Sequence, residues 1–141
     1  MTLNKDLIRR RLDLIRSHYL ELREMRSLSL DDFIKPRNAA AAESFLRRAL
    51  EAVFDIGRHI LAKKGRTDLA QEYKSIAKGL VGLGVVSGAL ADNLKKMAGY
   101  RNRLVHLYHE ITPEELYGII QDEVDNLKDF IIQTLEYLEK S

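Results

Sequence analysis

The segment Thr112–Leu138, T-P-E-E-L-Y-G-I-I-Q-D-E-V-D-N-L-K-D-F-I-I-Q-T-L-E-Y-L, decides the fold class. Thr112 and Glu115 make the T-x-x-E pattern of a capping box. Pro113 stands at the first helical position, where an N–H would have no intrahelical acceptor. Leu116, Ile120, Val124, Leu127, Ile131, Leu135 and Leu138 recur at steps of four and three. That spacing lines one apolar face of a long helix, with Asp122, Asp125, Asp129 and Glu136 on the opposite face.

The same rhythm extends towards the N-terminus. Ile8, Leu12, Ile15, Tyr19 and Leu22 predict a helix from Asn4, a suitable N-cap, to Arg26. Ser29 can cap a short turn, and Pro36 breaks or restarts the chain. Leu46, Leu50, Val53, Gly57 and Ile60 predict a second long helix, Ala39 to Lys64, stopped by Gly65. A third is expected over Asp68 to Leu80, then a tight turn at Gly82 and Gly84. A fourth is expected over Val86 to His106, with Gly88, Ala89 and Ala91 small enough for a neighbouring helix to approach closely. The chain breaks again around Tyr108 to Thr112. No alternating strand pattern of useful length occurs. The expectation is one all-α domain over residues 1–141, an up-and-down bundle of four long helices plus a short fifth.

Composition narrows the function. At 141 residues the chain can bury roughly 70% of its unfolded surface, so its core needs no staple. The absence of cysteine removes disulfide frameworks, thiolate-bound zinc and thiol catalysis. The net charge of +2 is unevenly placed: residues 1–66 carry six more Lys/Arg than Asp/Glu, and residues 67–141 carry four fewer. One half can therefore present a basic surface. The N-terminal residues lack an apolar signal core, and the least charged stretch, Gly79 to Ala91, falls short of the ~20 residues of a bilayer crossing. The expectation is a cytoplasmic protein with no membrane partner.

Phosphate-loop, zinc-protease and nucleophile-elbow motifs are absent. His18 and His59 lie in helical segments without a carboxylate cluster, which favours structural roles. The informative stretch is Gly99 to His109, G-Y-R-N-R-L-V-H-L-Y-H. Arg101 is a permanent cation whose forked donors suit phosphate. His106 can move a proton near neutral pH. Tyr108 offers a hydroxyl. Five residues turn an ideal helix by about 140°, so Arg101 and His106 would share no helical face. They could still border a groove where the helix ends. The same residues also suit a plain helix end, where a cation meets the macrodipole.

Arg101-x4-His106-x-Tyr108 resembles the R-x4-H-x-Y motif of HEPN-domain proteins of the HepT-like group. Asn102 after the arginine fits, as does R-N-x-L-V-H over Arg101 to His106. The likeness extends to the long helix from about Asn38, the L-x-x-x-G-V-V turn at Leu80–Val86 and the Met97–Tyr100 lead-in. It implies a homodimer whose paired motifs face one cleft, acting as a metal-independent endoribonuclease toxin with no cofactor. It implies a cognate minimal nucleotidyltransferase antitoxin that transfers AMP to the motif tyrosine. Arg101 and His106 would be catalytic, Asn102 supporting and Tyr108 the AMP acceptor. Arg9, Arg10, Arg47, Arg48, Arg58 and Arg103 are candidate contacts to the RNA substrate. The alternative is a non-catalytic helical subunit that binds a nucleotidyltransferase, its nucleotide, or both.

Overall fold

A computed structural model describes residues 2–106 and 111–141. Helix α1, Lys5–Met25, starts where Asn4 Oδ1 accepts from the Leu7 N–H at 3.1 Å. It buries Ile8, Leu12, Ile15, Tyr19 and Leu22, the stripe read from the sequence. Ser29 caps the short α2, Leu30–Phe33. Helix α3, Pro36–Lys63, begins at Pro36 rather than Ala39, because proline is compatible with a first helical turn. It is the central element, about 42 Å long at 1.5 Å per residue. It packs against α1, the later helices and the turn that follows it. Its Leu46, Leu50, Phe54, Ile56, Ile60 and Leu61 are fully buried in the one contiguous core cluster.

The third expected helix is divided. Thr67–Ala70 forms a 3-10 turn, and α4 runs Tyr73–Gly82. Arg58 Nε donates to the Ala70 carbonyl at 3.3 Å. In a continuous helix that carbonyl would accept from Lys74. Glu72, extended at φ −124° and ψ 142°, separates the two pieces.

Of the small residues expected to admit a close neighbour, Ala91 is buried while Gly88 and Ala89 are exposed. A Cβ on Gly88 would meet nothing within 4 Å. On Gly57 it would lie 2.4 Å from Ile76 Cγ2, and on Gly79 2.6 Å from Leu61 Cδ2. These two glycines let side chains of each helix pack directly onto the backbone of the other, which seats α4 against the C-terminal half of α3.

Helix α5, Gly88–Val105, is capped by Ser87 Oγ, which accepts from the Leu90 N–H at 3.1 Å. The last helix is two: α6, Pro113–Glu123, and α7, Asp125–Lys140, interrupted at Val124. The interruption sits where the Asp125 carboxylate accepts from Tyr19 Oη at 2.8 Å and pairs with Arg26 at 3.2 Å. The inward stripe changes phase after it. Leu127, Phe130, Thr134 and Leu138 face the core, while Leu135 is exposed. Among the described residues there is no strand, and no helix is long and apolar enough to cross a membrane. The all-α bundle expected from the sequence is the observed architecture.

Candidate functional site

The site is built at the C-terminal end of α5. Leu90, Ala91, Leu94, Met97 and Ala98 are buried and fix the rotation of that helix. Arg101 and Asn102 follow on its last turns. The helix then ends: His106 is its C-cap, with extended backbone at φ −99° and ψ 121°, and its N–H donates to the Asn102 carbonyl at 3.1 Å. His106 still donates the last helical hydrogen bond, so within one chain helical phase keeps it apart from Arg101, and its extended ψ ends the helix. Its side chain is exposed to solvent. Tyr108 and His109 lie outside the described residues.

Arg101 rests on an aromatic ring. Its guanidinium carbon is 4.5 Å from the centroid of Tyr73, the first residue of α4. Arg58 of α3 approaches the same ring at 5.6 Å, and Phe54 packs edge-on against it at 4.9 Å. Arg101 Nη1 is 3.4 Å from Asn102 Oδ1, which gives the sequence-predicted supporting residue a direct contact. Arg101 Nε is buried without an acceptor among the described residues, and no carboxylate among them pairs with this guanidinium. Beside it lies a cleft of about 290 Å³ lined by Gln71, Glu72, Tyr73, Lys74 and Asn102. Its lining carries one lysine, two amides, the Tyr73 ring and one carboxylate, Glu72.

Arg103, two residues on, is engaged differently. Its guanidinium grips Glu115 with both forks, Nη2 to Oε1 at 2.7 Å. The bond to Arg103 holds the Glu115 carboxyl below the usual carboxylate range and pushes the arginine higher still. The capping box is therefore half made. Thr112 Oγ1 accepts from the Glu115 N–H at 3.1 Å, while the Glu115 side chain reaches α5 instead of returning to Thr112. The pair ties the end of α5 to the start of α6 on either side of residues 107–110.

The remaining candidate arginines are spread over α1 and α3. Arg9 and Arg10 are exposed on α1. Arg47 pairs loosely with Glu51 at 3.8 Å, and Arg58 pairs with Asp55 at 3.2 Å. Arg48 lines a groove of about 220 Å³ with Arg11, Leu14, His18, Glu51, Ala52 and Asp55. Only Arg58 is brought to the Arg101 site.

His18 and His59 have packing partners. His18 stacks on Phe45 with ring centroids 5.4 Å apart, and burial together with Arg48 pushes its pKa down. His59 Nε2 accepts from the Asn4 N–H at 3.2 Å, so that nitrogen carries no proton. Burial and then Lys63 lower its pKa, in keeping with a neutral ring. Tyr73 is a site residue that sequence reasoning missed, as it did Gln71, Glu72 and Lys74 of the cleft lining. An isolated aromatic at a helix start has no periodic signal, and its meaning comes from the two arginines that the fold brings to it.

The family described as "Ribonuclease HepT-like" matches residues 11–134. The chain belongs to the HepT-like ribonuclease family. It is 28% identical over 133 residues to the "tRNA nuclease HepT" of Aphanizomenon flos-aquae, covering 94% of this chain and 90% of that protein. It is 31% identical over 86 residues to the "mRNA nuclease HepT" of Shewanella oneidensis, covering 61% of this chain and 64% of that one. The fold is similar to the tri-AMPylated HEPN toxin of Shewanella oneidensis, solved in complex with MNT antitoxin. The TM-score is 0.80 at 24% identity, over 96% of this chain and 99% of that one. The resemblance read from the motif and the family match agree, and the enzyme class is that of a ribonuclease.

Proposed function

We propose that this chain is the toxin of a toxin–antitoxin pair, a metal-independent endoribonuclease that cuts RNA with Arg101 and His106. The observation that carries the reading is the state of Arg101. It is held at 4.5 Å over Tyr73, pairs with no carboxylate among the described residues, and lies about one and a half helical turns before the point where α5 ends in an exposed histidine. A guanidinium tied to a carboxylate has little left for a phosphate; this one is positioned by a ring face, which uses none of its N–H donors.

The chemistry follows from these groups. The RNA ribose 2′-hydroxyl attacks the adjacent phosphorus. A base accepts the hydroxyl proton, and an acid donates a proton to the departing 5′-oxygen. The cut leaves a 2′,3′-cyclic phosphate and a 5′-hydroxyl. One chain contributes one His106, and a homodimer contributes two, one for each proton transfer. Arg101 stabilises the anionic phosphorus centre. Because the nucleophile is already within the substrate, no metal-bound water is required. Arg9, Arg10, Arg47, Arg48 and Arg58 supply backbone contacts, and Arg103 belongs to the same proposed set. In this reading a minimal nucleotidyltransferase transfers AMP to Tyr108, setting a bulky anion where Arg101 would otherwise receive the substrate phosphate.

The test uses purified protein and labelled tRNA and mRNA in buffer containing a chelator. The wild type should cut; His106→Ala and Arg101→Ala should not, with helicity unchanged. Incubation with the nucleotidyltransferase, ATP and Mg²⁺ should add AMP at Tyr108 and stop cleavage. Tyr108→Phe should cut RNA and escape that inactivation. Normal cleavage by His106→Ala, or AMP mapped to Tyr100 or Tyr117, would overturn the corresponding assignment.

A further inference from the structure

We infer that Tyr73 is a positioning residue for Arg101, the aromatic plate that sets where its guanidinium meets the RNA phosphate. The inference rests on the reading of Arg101 just given. Tyr73 touches no reacting atom in this account; it acts through the arginine.

Three observations converge on the ring. Arg101 lies over it at 4.5 Å and Arg58 at 5.6 Å, so two cations from different helices meet one aromatic face system. The quadrupole of the ring attracts both, and guanidinium is the cation most often found in such contacts. The ring is itself anchored: Phe54, fully buried on α3, packs edge-on against it at 4.9 Å. Its backbone is anchored too, because Gly57 and Gly79 bring α4 against α3. Tyr73 is thus fixed to the core before Arg101 is fixed to Tyr73. Arg58 has further anchors in the Ala70 carbonyl and the Asp55 carboxylate. Among the described residues Arg101 has the ring and the Asn102 amide. Two guanidiniums on one ring repel each other, and an anion entering beside them relieves that repulsion. The neighbouring cleft, lined by Tyr73, Lys74 and Asn102, gives a phosphate room to enter. Glu72 in the same lining works against it, which makes the arginines' placement matter more.

A plate of this kind acts on transition-state stabilisation rather than on substrate capture. Its loss should therefore appear in kcat more than in KM. Tyr73→Phe keeps the ring and removes only the hydroxyl; it should cleave RNA within about twofold of the wild type. Tyr73→Leu keeps an apolar side chain against Phe54 and removes the π face. Its kcat should fall about tenfold with KM changed less than about twofold. Replacing Tyr73 with phenylalanines carrying successively more ring fluorines withdraws the quadrupole while hardly altering size, so kcat should fall stepwise with fluorine number.

Arg101→Ala is assayed alongside. Full cleavage by Arg101→Ala overturns the catalytic reading itself. Loss of cleavage by Arg101→Ala together with wild-type kcat in Tyr73→Leu overturns only the positioning role. A Tyr73→Phe protein as slow as Tyr73→Leu, or fluorinated rings that all cleave alike, overturns it as well, because either result would mean that the π face is not what Arg101 uses.

Discussion

Arg101 and Arg103 stand two residues apart at the end of the same helix, yet the fold treats them in opposite ways. Arg103 is closed onto the Glu115 carboxylate through both forks. Arg101 is laid over the Tyr73 ring and, among the described residues, makes one polar contact, to Asn102. The first arrangement satisfies a cation and spends its donors on joining α5 to α6. The second fixes a cation in space while leaving donors for something else. One arginine holds the segment together; the other is held by it. The RNA-contact role expected for Arg103 thus competes with an ion pair already formed, whereas no such competitor faces Arg101 among the described residues.

The largest expected effect tests that contrast directly. Arg101→Ala should lower kcat/KM for RNA cleavage by about 10²–10³-fold, the usual cost of removing one preorganised donor from a developing anion. Arg103→Ala should stay within about threefold. Single-turnover cleavage of one RNA by both variants is the measurement. Equal losses would break the comparison and make Arg103 as important to the transition state as Arg101.

How much of this was legible in the sequence depends on the distance over which each interaction acts. Asn4, Ser29 and Thr112 cap helices through bonds that span three residues, and Ile8 to Leu22 repeat with the helical period, so local reading located them. The Val124 interruption and the exposed Leu135 were not legible. They follow from Asp125 meeting Tyr19 of α1 and Arg26 just after it, and the continuous apolar spacing of Leu116 to Leu138 gives no sign of that. The division before α4 arises likewise from Arg58 holding the Ala70 carbonyl. In the site, Arg101 and His106 were readable as residue types in a motif. Tyr73 was not, since it matters only through partners on α3 and α5. The small residues at Gly88 and Ala89 gave the opposite error: they are open to solvent, and it is Gly57 and Gly79 that meet neighbouring side chains.

Gly57 therefore links stability to the Arg101 side of the comparison. A methyl group there would collide with Ile76, and the collision sits below Tyr73 at the start of α4. Gly57→Ala should destabilise the protein by about 1–3 kcal/mol through overpacking. It should also lower cleavage beyond what the unfolded fraction explains, because α4 carries the ring that carries Arg101. Gly118→Ala, in open space on α6, is the matched control and should gain up to about 1 kcal/mol from helix propensity. Urea unfolding of both variants, with activity measured well below the transition, checks the pair.

Asp125 makes a second clasp, with two donors in place of one. It accepts from the buried Tyr19 hydroxyl as well as from Arg26. Asp125→Ala leaves that hydroxyl without its acceptor and should cost about 1–2 kcal/mol. Cleavage should be unchanged, since this contact ties α1 to α7 and not to the α5 terminus.

The smallest effect belongs to Glu115 and has a definite sign. Burial tends to raise the Asp125 carboxyl, but its bonds from Tyr19 and Arg26 outweigh that and hold it below its ordinary value of 3.8. The Arg103 bond likewise holds Glu115 below 4.5. A lowered carboxyl contributes stability that is fully present above the ordinary value and is lost as pH falls through the folded one. Wild type and Glu115→Gln should therefore differ slightly in urea midpoint at pH 7, the margin being that of an exposed pair. The difference should close as the pH drops below about 4.5. Arg103→Ala should behave the same way, and the double variant should lose no more than either single one. A gap that widens towards acid would mean that Glu115 is protonated more readily in the folded protein than in the unfolded chain, and the clasp that sets Arg103 apart from Arg101 would not exist in solution.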